Sequence, residues 1–446
     1  MHRILSRMVV YRMSDQDSIL YQLADVCREL LEGQFDQEEL AGRVLSQFHR
    51  LLDLATQYGF DKNLWHQYLA WLIATTETPF SLTCEKTGAR PGSVNTLAIR
   101  DFKLFKELFN FDFTQLEATL NLDCFTIMTH YSAIRKDRKT YNAEVSEKIQ
   151  ILSDAIAAAE DEQAVFQVVT AFYKNFGVGL FGLNKVFRLA GTGDPLVLLP
   201  ISNTVDVRLH DLIGYERQKE QLVANTEAFI HGGKANNLLL YGDSGTGKST
   251  CVKAILNEYH LHGLRIIELY KHQLQSLSAV ISLIKNRNYR FIIFMDDLSF
   301  EDFETEFKHL KAVIEGGMEV TPDNVLIYAT SNRRHLIRET WADRGASASA
   351  NDIHYTDTVE EKISLVNRFG VTIRFDRPGR DDYLQIVQGI ASRYPQIRLS
   401  GEDLSAAALQ WAQWHGNLSG RRAQQFINHL LGQSDLPADR SPETSG

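Results

Sequence analysis

Residues 242–249 read Gly242-Asp243-Ser244-Gly245-Thr246-Gly247-Lys248-Ser249: a glycine, four residues, then Gly-Lys-Ser. This is the spacing of a P-loop, whose glycines let successive backbone N–H groups wrap a chain of phosphates. The flanks supply what such a loop needs. Upstream, Asn237-Leu238-Leu239-Leu240-Tyr241 is a short apolar run suited to a buried parallel strand. Downstream, Val252, Ile255 and Leu256 recur at helical spacing. The helix N-terminus adds its positive end to the loop's donors, Lys248 reaches the β- and γ-phosphates, and Ser249 offers a hydroxyl to Mg²⁺. The expected ligand is a nucleoside triphosphate with Mg²⁺, held by residues 242–249 together with Thr250.

A second apolar run, residues 290–295 (RFIIFM), ends on Asp296-Asp297. An acidic pair at the tip of a strand beside a P-loop is the Walker B arrangement. Asp296 is the expected Mg²⁺ partner and Asp297 the carboxylate that polarises the attacking water. Glutamate is commoner at the second place, so the shorter Asp297 predicts slow turnover, or substitution by Glu301 or Glu304. A third run, residues 324–330 (NVLIYAT), leads into Ser331-Asn332-Arg333-Arg334, where Asn332 is placed to orient the lytic water. A fourth, residues 371–375, follows Asn367-Arg368-Phe369-Gly370. Near the end of the chain, Ser419-Gly420-Arg421-Arg422-Ala423 opens a helical segment with Phe426, Ile427 and Leu430 on one face. A single exposed arginine is ordinarily a solvated charge. What counts is the order and spacing of the whole series.

Taken in that order, residues 209–431 resemble the AAA+ ATPases: the DLIGYERQKEQL entry, Walker A, Walker B, then Asn332, Arg368 and Arg421 in turn. The phrases MDDLSFE, IYATSNRRHLI and DTVEEKISLVNRFG look like the bacterial domain-of-unknown-function 815 family. The resemblance implies a three-layer nucleotide-binding core followed by a small helical lid. It implies an adenine pocket lined by residues 211–215, with Ile213 and Gly214 among the nucleotide-binding residues. It also implies sensor roles for Asn332 and Arg421, and an arginine finger at Arg368 that acts on a neighbouring subunit. A ring-shaped homo-oligomer follows, with a hexamer the expected form. The resemblance implies no particular cellular task.

At 446 residues, with 44% hydrophobic and 23% charged residues, the chain has room for two or three globular domains. A net charge of −9 argues against a protein that coats DNA, while leaving a local basic patch open. The four cysteines, Cys27, Cys84, Cys124 and Cys251, are scattered without metal-ligand spacing, which fits a reducing cytoplasm. No segment reaches the roughly 18 apolar residues of a membrane span. Arg3, Arg7 and Arg12 interrupt the N-terminus and make it a poor secretory signal.

Five domain segments are expected. Residues 1–190 form a helical N-terminal domain, with apolar recurrence at 19–31, 40–58, 64–75, 97–109 and 145–159. Residues 191–208 are a Gly/Pro-punctuated linker, whose PLVLLPIS stretch suits a short extended segment. Residues 209–376 form an α/β core with five parallel strands, 377–433 a helical lid, and 434–446 a frayed tail. Within the first domain, His66 between Trp65 and Trp71 reads as a packed core histidine rather than a metal ligand. The phenylalanines of 102–113 recur at helical spacing and read as core rather than as a stacking surface. The basic run at 135–139 reads as a solvated helix end, with phosphate contact as its alternative.

The fold class is therefore α/β, a P-loop NTPase core with helical flanks. The leading functional expectation is an oligomeric ATPase that remodels or loads a protein or nucleic-acid client. A slow nucleotide-gated switch and a P-loop small-molecule phosphotransferase are the competing readings. Tyr270-Lys271 is the one candidate for a projecting aromatic pore loop, and residues 270–289 leave little length for it.

Overall fold

The structure, a computed structural model, describes residues 1–12, 17–33, 35–134, 141–191, 196–202, 204–300, 306–315, 322–333, 336 and 365–434. Glu301, Glu304, Arg334, the basic run at 135–139, residues 359–364 and the tail beyond Ser434 lie outside the described residues. The chain forms two compact units, residues 1–186 with 200–204, and residues 187–199 with 205–446.

In the second unit the apolar runs of the sequence become neighbouring strands. They are β3 (Leu238–Gly242), β4 (Leu264–Glu268), β5 (Arg290–Met295), β6 (Val325–Ser331) and β7 (Val371–Phe375), given with β1 (Val186–Ala190) and β2 (Val197–Pro200). The sheet order is β2-β1-β4-β5-β6-β3-β7. All four pairings from β4 to β7 are parallel. Leu238, Leu239 and Leu240 are fully buried, and all seven residues of β6 are buried, because helices cover both faces of such a sheet. The expected five strands are therefore joined by two more. The additional pair comes from residues 186–200, so the segment expected as a linker supplies an edge strand. In β2 only Leu198 is buried, and the short extended segment expected at PLVLLPIS becomes a strand at the sheet edge.

The register decides which residues meet at the carboxyl edge. Met295 lies opposite Ala329, so Asp296 comes beside Thr330. Tyr241 lies opposite Ser331, so Gly242 comes beside Asn332. Three helices follow the sheet, Arg380–Ala391, Gly401–His415 and Gly420–Ser434, packed around Tyr383, Val387, Ala408, Ala423, Phe426 and Ile427. On the other side of β4, Tyr270 is 46% exposed, and the chain goes directly into a 3-10 turn, Lys271–Ser276, and the helix Leu277–Ile284.

The first unit is helical, with long members at Ile19–Glu32, Gln37–Tyr58, Leu64–Thr75, Ser93–Phe109, Ala143–Ala158 and Glu162–Asn175. Ser18, Asp36, Asn63, Asn142 and Asp161 each cap a helix start by accepting a backbone N–H. The core is aromatic: Trp65, Tyr68, Phe80, Phe102 and Tyr173 are fully buried. Phe105, Leu108 and Phe109 join it, as their helical spacing predicts. His66 bonds through Nε2 to the Phe109 carbonyl at 2.8 Å and packs on the Phe109 ring. No cluster of metal-ligating side chains occurs among the described residues.

Candidate functional site

Strand β3 passes into the loop at Gly242, whose φ of +134° belongs to glycine alone. A Cβ there would lie 2.0 Å from the Phe375 carbonyl oxygen, so β7 can pair alongside only because the side chain is missing. Gly245 and Gly247 also have positive φ, and Gly247 caps the helix Lys248–Tyr259. The first N–H groups of that helix have no acceptor within it and face the loop. Gly245 has a second role. A Cβ there would press at 3.1 Å on Arg421 Cβ and Ser419 Oγ, so its absence lets the third lid helix approach, and Arg421 N–H donates to the Gly245 carbonyl at 3.2 Å.

Lys248 is buried, and its ammonium donates to the carbonyls of Gly242 at 2.9 Å and Asp243 at 2.6 Å, and to Asn332 Oδ1 at 3.1 Å. Burial lowers its pKa from the usual lysine value, while the nearby carboxylates of Asp243, Asp297 and Asp296 oppose that shift. Asn332 uses its other end to donate to Asp297 Oδ1 at 2.7 Å. Asp297 stands at φ +50°, a left-handed conformation that aspartate tolerates better than most residues, and this turns the chain sharply out of β5. Two hydroxyls donate to Asp296 Oδ1, Ser249 and Thr330, each at 2.5 Å. The Thr330 hydroxyl in turn accepts the Asp297 N–H at 2.9 Å. One hydrogen-bonded chain thus runs from Lys248 through Asn332, Asp297, Thr330 and Asp296 to Ser249.

These groups open on a cleft of about 740 Å³. That volume is in the range of small-molecule sites. Ser244, Gly245, Thr246, Gly247, Lys248, Ser249, Thr250, Asp296, Asp297, Asn332 and Arg421 line it, and so does Ile213 at the end nearer the lid. Gly214, Gly242, Asp243 and Arg368 do not line it. Gly242 and Asp243 instead offer carbonyls to Lys248, and Asp243 pairs with Arg377 at 3.4 Å. Arg368 is exposed, just beyond the helical turn that precedes β7.

The cleft also holds residues that the motifs did not point to. Thr330 is buried near the end of an apolar strand, where a lone polar residue was the available signal. Arg393 comes from the lid side and holds the entry segment, with a 3.1 Å ion pair to Asp211 and a 2.9 Å bond to its carbonyl. Gly389 makes room for Ile213, whose Cδ1 would be 2.2 Å from a Cβ at that position. Neither has a sequence signature, because each depends on how the lid meets the core.

The donor set suits a triphosphate with its cation. A glycine cradle and a helix start stand beside a buried ammonium, and a hydroxyl–carboxylate pair sits at the neighbouring strand end. The part of the cleft around Ile213 combines apolar Leu212, Ile213, Ile386 and Ile390 with the ring of Tyr215.

Residues 184–434, more than half of the chain, match the model of a family described as "Protein of unknown function (DUF815)". Among curated proteins, the replication factor C large subunit of Methanococcus vannielii is 29% identical over 173 residues, which are 36% of this chain and 34% of that one. The ATP-dependent zinc metalloprotease FtsH of Helicobacter pylori is 25% identical over 192 residues, 37% of this chain and 28% of the relative. The chain thus spans about a third of the length of the curated relatives it matches. Among solved structures, a variant of Thermotoga maritima RuvB aligns with 16% identity and a TM-score of 0.35, over 50% of this chain and 64% of its own. With its P-loop, acidic pair and lid helices all inside the matched span, the chain belongs to the DUF815 family, within the AAA+ class of P-loop proteins.

Proposed function

We propose that this protein binds ATP with Mg²⁺ in the cleft of its α/β unit and hydrolyses it to remodel or load a macromolecular partner. The observation that carries the reading is the hydrogen-bonded chain joining Lys248 to Ser249 through Asn332, Asp297, Thr330 and Asp296. It gathers phosphate-binding, cation-binding and water-orienting residue types on one edge of one sheet.

Each group has a part. The loop from Ser244 to Thr250 donates N–H groups to the phosphates, and Lys248 exchanges its carbonyl partners for phosphate oxygens. Ser249 and Asp296 would hold Mg²⁺, which would supply charge neutralisation to the phosphates. Asp297 orients and polarises the attacking water, with Asn332 fixing its carboxylate. Arg421 reaches the phosphates from the lid. Ile213 and its neighbours hold the base, and Gly214 shapes the turn that presents them. Arg368 is exposed and off the cleft of its own chain, as an arginine that serves a neighbour's γ-phosphate must be. The working form is accordingly a ring, with a hexamer proposed. The four cysteines are buried and unpaired, in keeping with a cytoplasmic protein. No helix among the described residues is long and apolar enough to cross a membrane.

One observation favours a slower machine. The Asp297 carboxylate is engaged by Asn332, and its side chain is one methylene shorter than the commoner glutamate. A nucleotide-gated switch with rare turnover is the second reading. Threading of a client polypeptide is disfavoured, since Tyr270 is followed at once by the Lys271–Ser276 turn and the Lys271 ammonium is held by the Ser299 carbonyl at 2.9 Å.

An ATPase assay coupled to light scattering, run across protein concentration, tests the proposal. Turnover per subunit that climbs as larger particles form is the expected result. Concentration-independent turnover by a monomer would favour the switch, and absence of ATP binding would end both readings.

A further inference from the structure

We propose that Thr330 is a positioning residue for the acidic pair, holding the Asp296 carboxylate and the Asp297 backbone in the arrangement that cation binding and water activation use. The inference rests on the ATP-binding reading above and adds a residue to it. Thr330 is 1% exposed and lies on β6, whose register brings it beside the tip of β5. Three bonds tie it to that tip. Its hydroxyl donates to Asp296 Oδ1 at 2.5 Å and accepts from Asp297 N–H at 2.9 Å, and its carbonyl accepts from Leu298 N–H at 2.7 Å.

The hydroxyl thus uses both of its capacities on two consecutive acidic residues. Donating to Asp296 fixes the carboxylate rotamer, so that the oxygen facing Ser249 is already placed. Accepting from Asp297 stabilises a backbone at φ +50°, the conformation that aims the Asp297 side chain at Asn332. A β-branched residue also limits its own χ1 freedom, which keeps the hydroxyl between its two partners. Valine would keep the shape and lose both bonds; serine would keep the bonds and lose the methyl.

In the experiment, Mn²⁺ stands in for Mg²⁺, and its affinity is measured by electron paramagnetic resonance in the presence of ADP. The wild type, Thr330→Val and Thr330→Ser are compared, with ATP KM and kcat recorded alongside. Hydrogen-bond partners of metal ligands typically contribute about 10–100-fold to affinity or activity. Thr330→Val should therefore weaken Mn²⁺ binding at least about tenfold and lower kcat more than it raises KM, with Thr330→Ser recovering most of both. Melting curves identify any variant that fails to fold, and the serine variant then decides the matter by retaining wild-type cation affinity. Unchanged Mn²⁺ affinity in a folded Thr330→Val overturns the inference and leaves the ATP-binding reading intact. Failure of the wild type to bind nucleotide overturns both.

Discussion

Two carboxylates, one in each unit, are both held by several hydrogen bonds, yet they differ in kind. In the helical unit Asp101 is fully buried and accepts backbone N–H groups from Val9, Val10 and Tyr11 at 2.7–3.1 Å. In the α/β unit Asp296 is exposed to the cleft and accepts two side-chain hydroxyls. An amide N–H can only donate, so the shell of Asp101 is closed. A hydroxyl can also present a lone pair, so Ser249 can keep its bond to Asp296 and still serve a cation. The chemistry of the donors, rather than their number, separates a structural carboxylate from a candidate site. The same contrast extends outward. The buried hydroxyls of Tyr11 and Tyr173 bond each other and the Ile73 carbonyl, whereas the polar groups around Lys248 converge on open space.

The largest expected effect belongs to Arg368, and it sharpens the comparison by asking whether one copy of the α/β unit is complete. An arginine supplied by a neighbour is worth roughly 10³-fold or more in rate. Arg368→Ala should bind ATP as the wild type does and hydrolyse it slower by about that factor. Mixing it with the inactive Lys248→Ala should restore part of the activity, because the surviving arginine and the intact loop meet across one interface. A mixture with no more activity than its parts would return Arg368 to a structural role within its own chain.

Next comes the closed shell. Asp101→Ala would strip three N–H groups of their acceptor, at about 1–3 kcal/mol for each that stays dry. The helical unit should lose on the order of 3 kcal/mol or more, read as faster amide exchange at Val9, Val10 and Tyr11 and an earlier melting transition. ATP affinity should not move, and a shared loss would blur the distinction drawn here.

Around Lys248 the pattern inverts, with chemistry lost and stability kept. Lys248→Ala should cost about 10²-fold in ATP affinity by calorimetric titration, since truncating one member of a buried charged contact typically costs about 2–5 kcal/mol. Asp297→Asn should preserve binding and lower turnover by roughly 10²-fold, the scale of a positioned base. Binding equal to wild type in the first variant would sink the P-loop assignment. Undiminished turnover in the second would transfer the role to Glu301 or Glu304.

What the sequence disclosed follows from the same physics. Strands buried on both faces read as continuous apolar runs, so β3, β5 and β6 were visible within a residue or two of their ends, while β7, at a sheet edge, buries only Ile373 and Phe375 and stood out as a short run after Gly370. Gly242, Gly245, Gly247, Lys248 and the pair Asp296-Asp297 carry their meaning in local spacing. Strand β2 was legible only as a short extended segment, because its place at the sheet edge depends on its partner rather than on its own composition. Thr330, Gly389 and Arg393 stayed hidden for a related reason. Each matters through a residue distant in sequence, Asp296, Ile213 and Asp211 respectively, and only sheet register and lid placement bring these together.

The smallest effect tests whether the helical unit's polar groups serve its own packing throughout. His66 is half-buried, and burial lowers its pKa below the ordinary histidine value. The bond to the Phe109 carbonyl opposes that shift, Lys106 adds to it, and Asp154 opposes it. The sign follows from linkage. A base whose folded pKa is depressed is bound as the neutral form, so its stabilisation is complete above the unfolded value of about 6.5. As pH falls through that value the unfolded chain takes up the proton first, and stability declines until the folded pKa is passed. A two-dimensional NMR titration of labelled histidines should place His66 below the ordinary histidine value, with its Nε2 bonded to Phe109 in the neutral form. His66→Gln should flatten the loss of stability of the helical unit between about pH 7 and 5 without altering any metal response. A His66 pKa at or above about 6.5, or a pKa that moves on adding Zn²⁺, would contradict a packed core histidine and reopen the reading as a ligand.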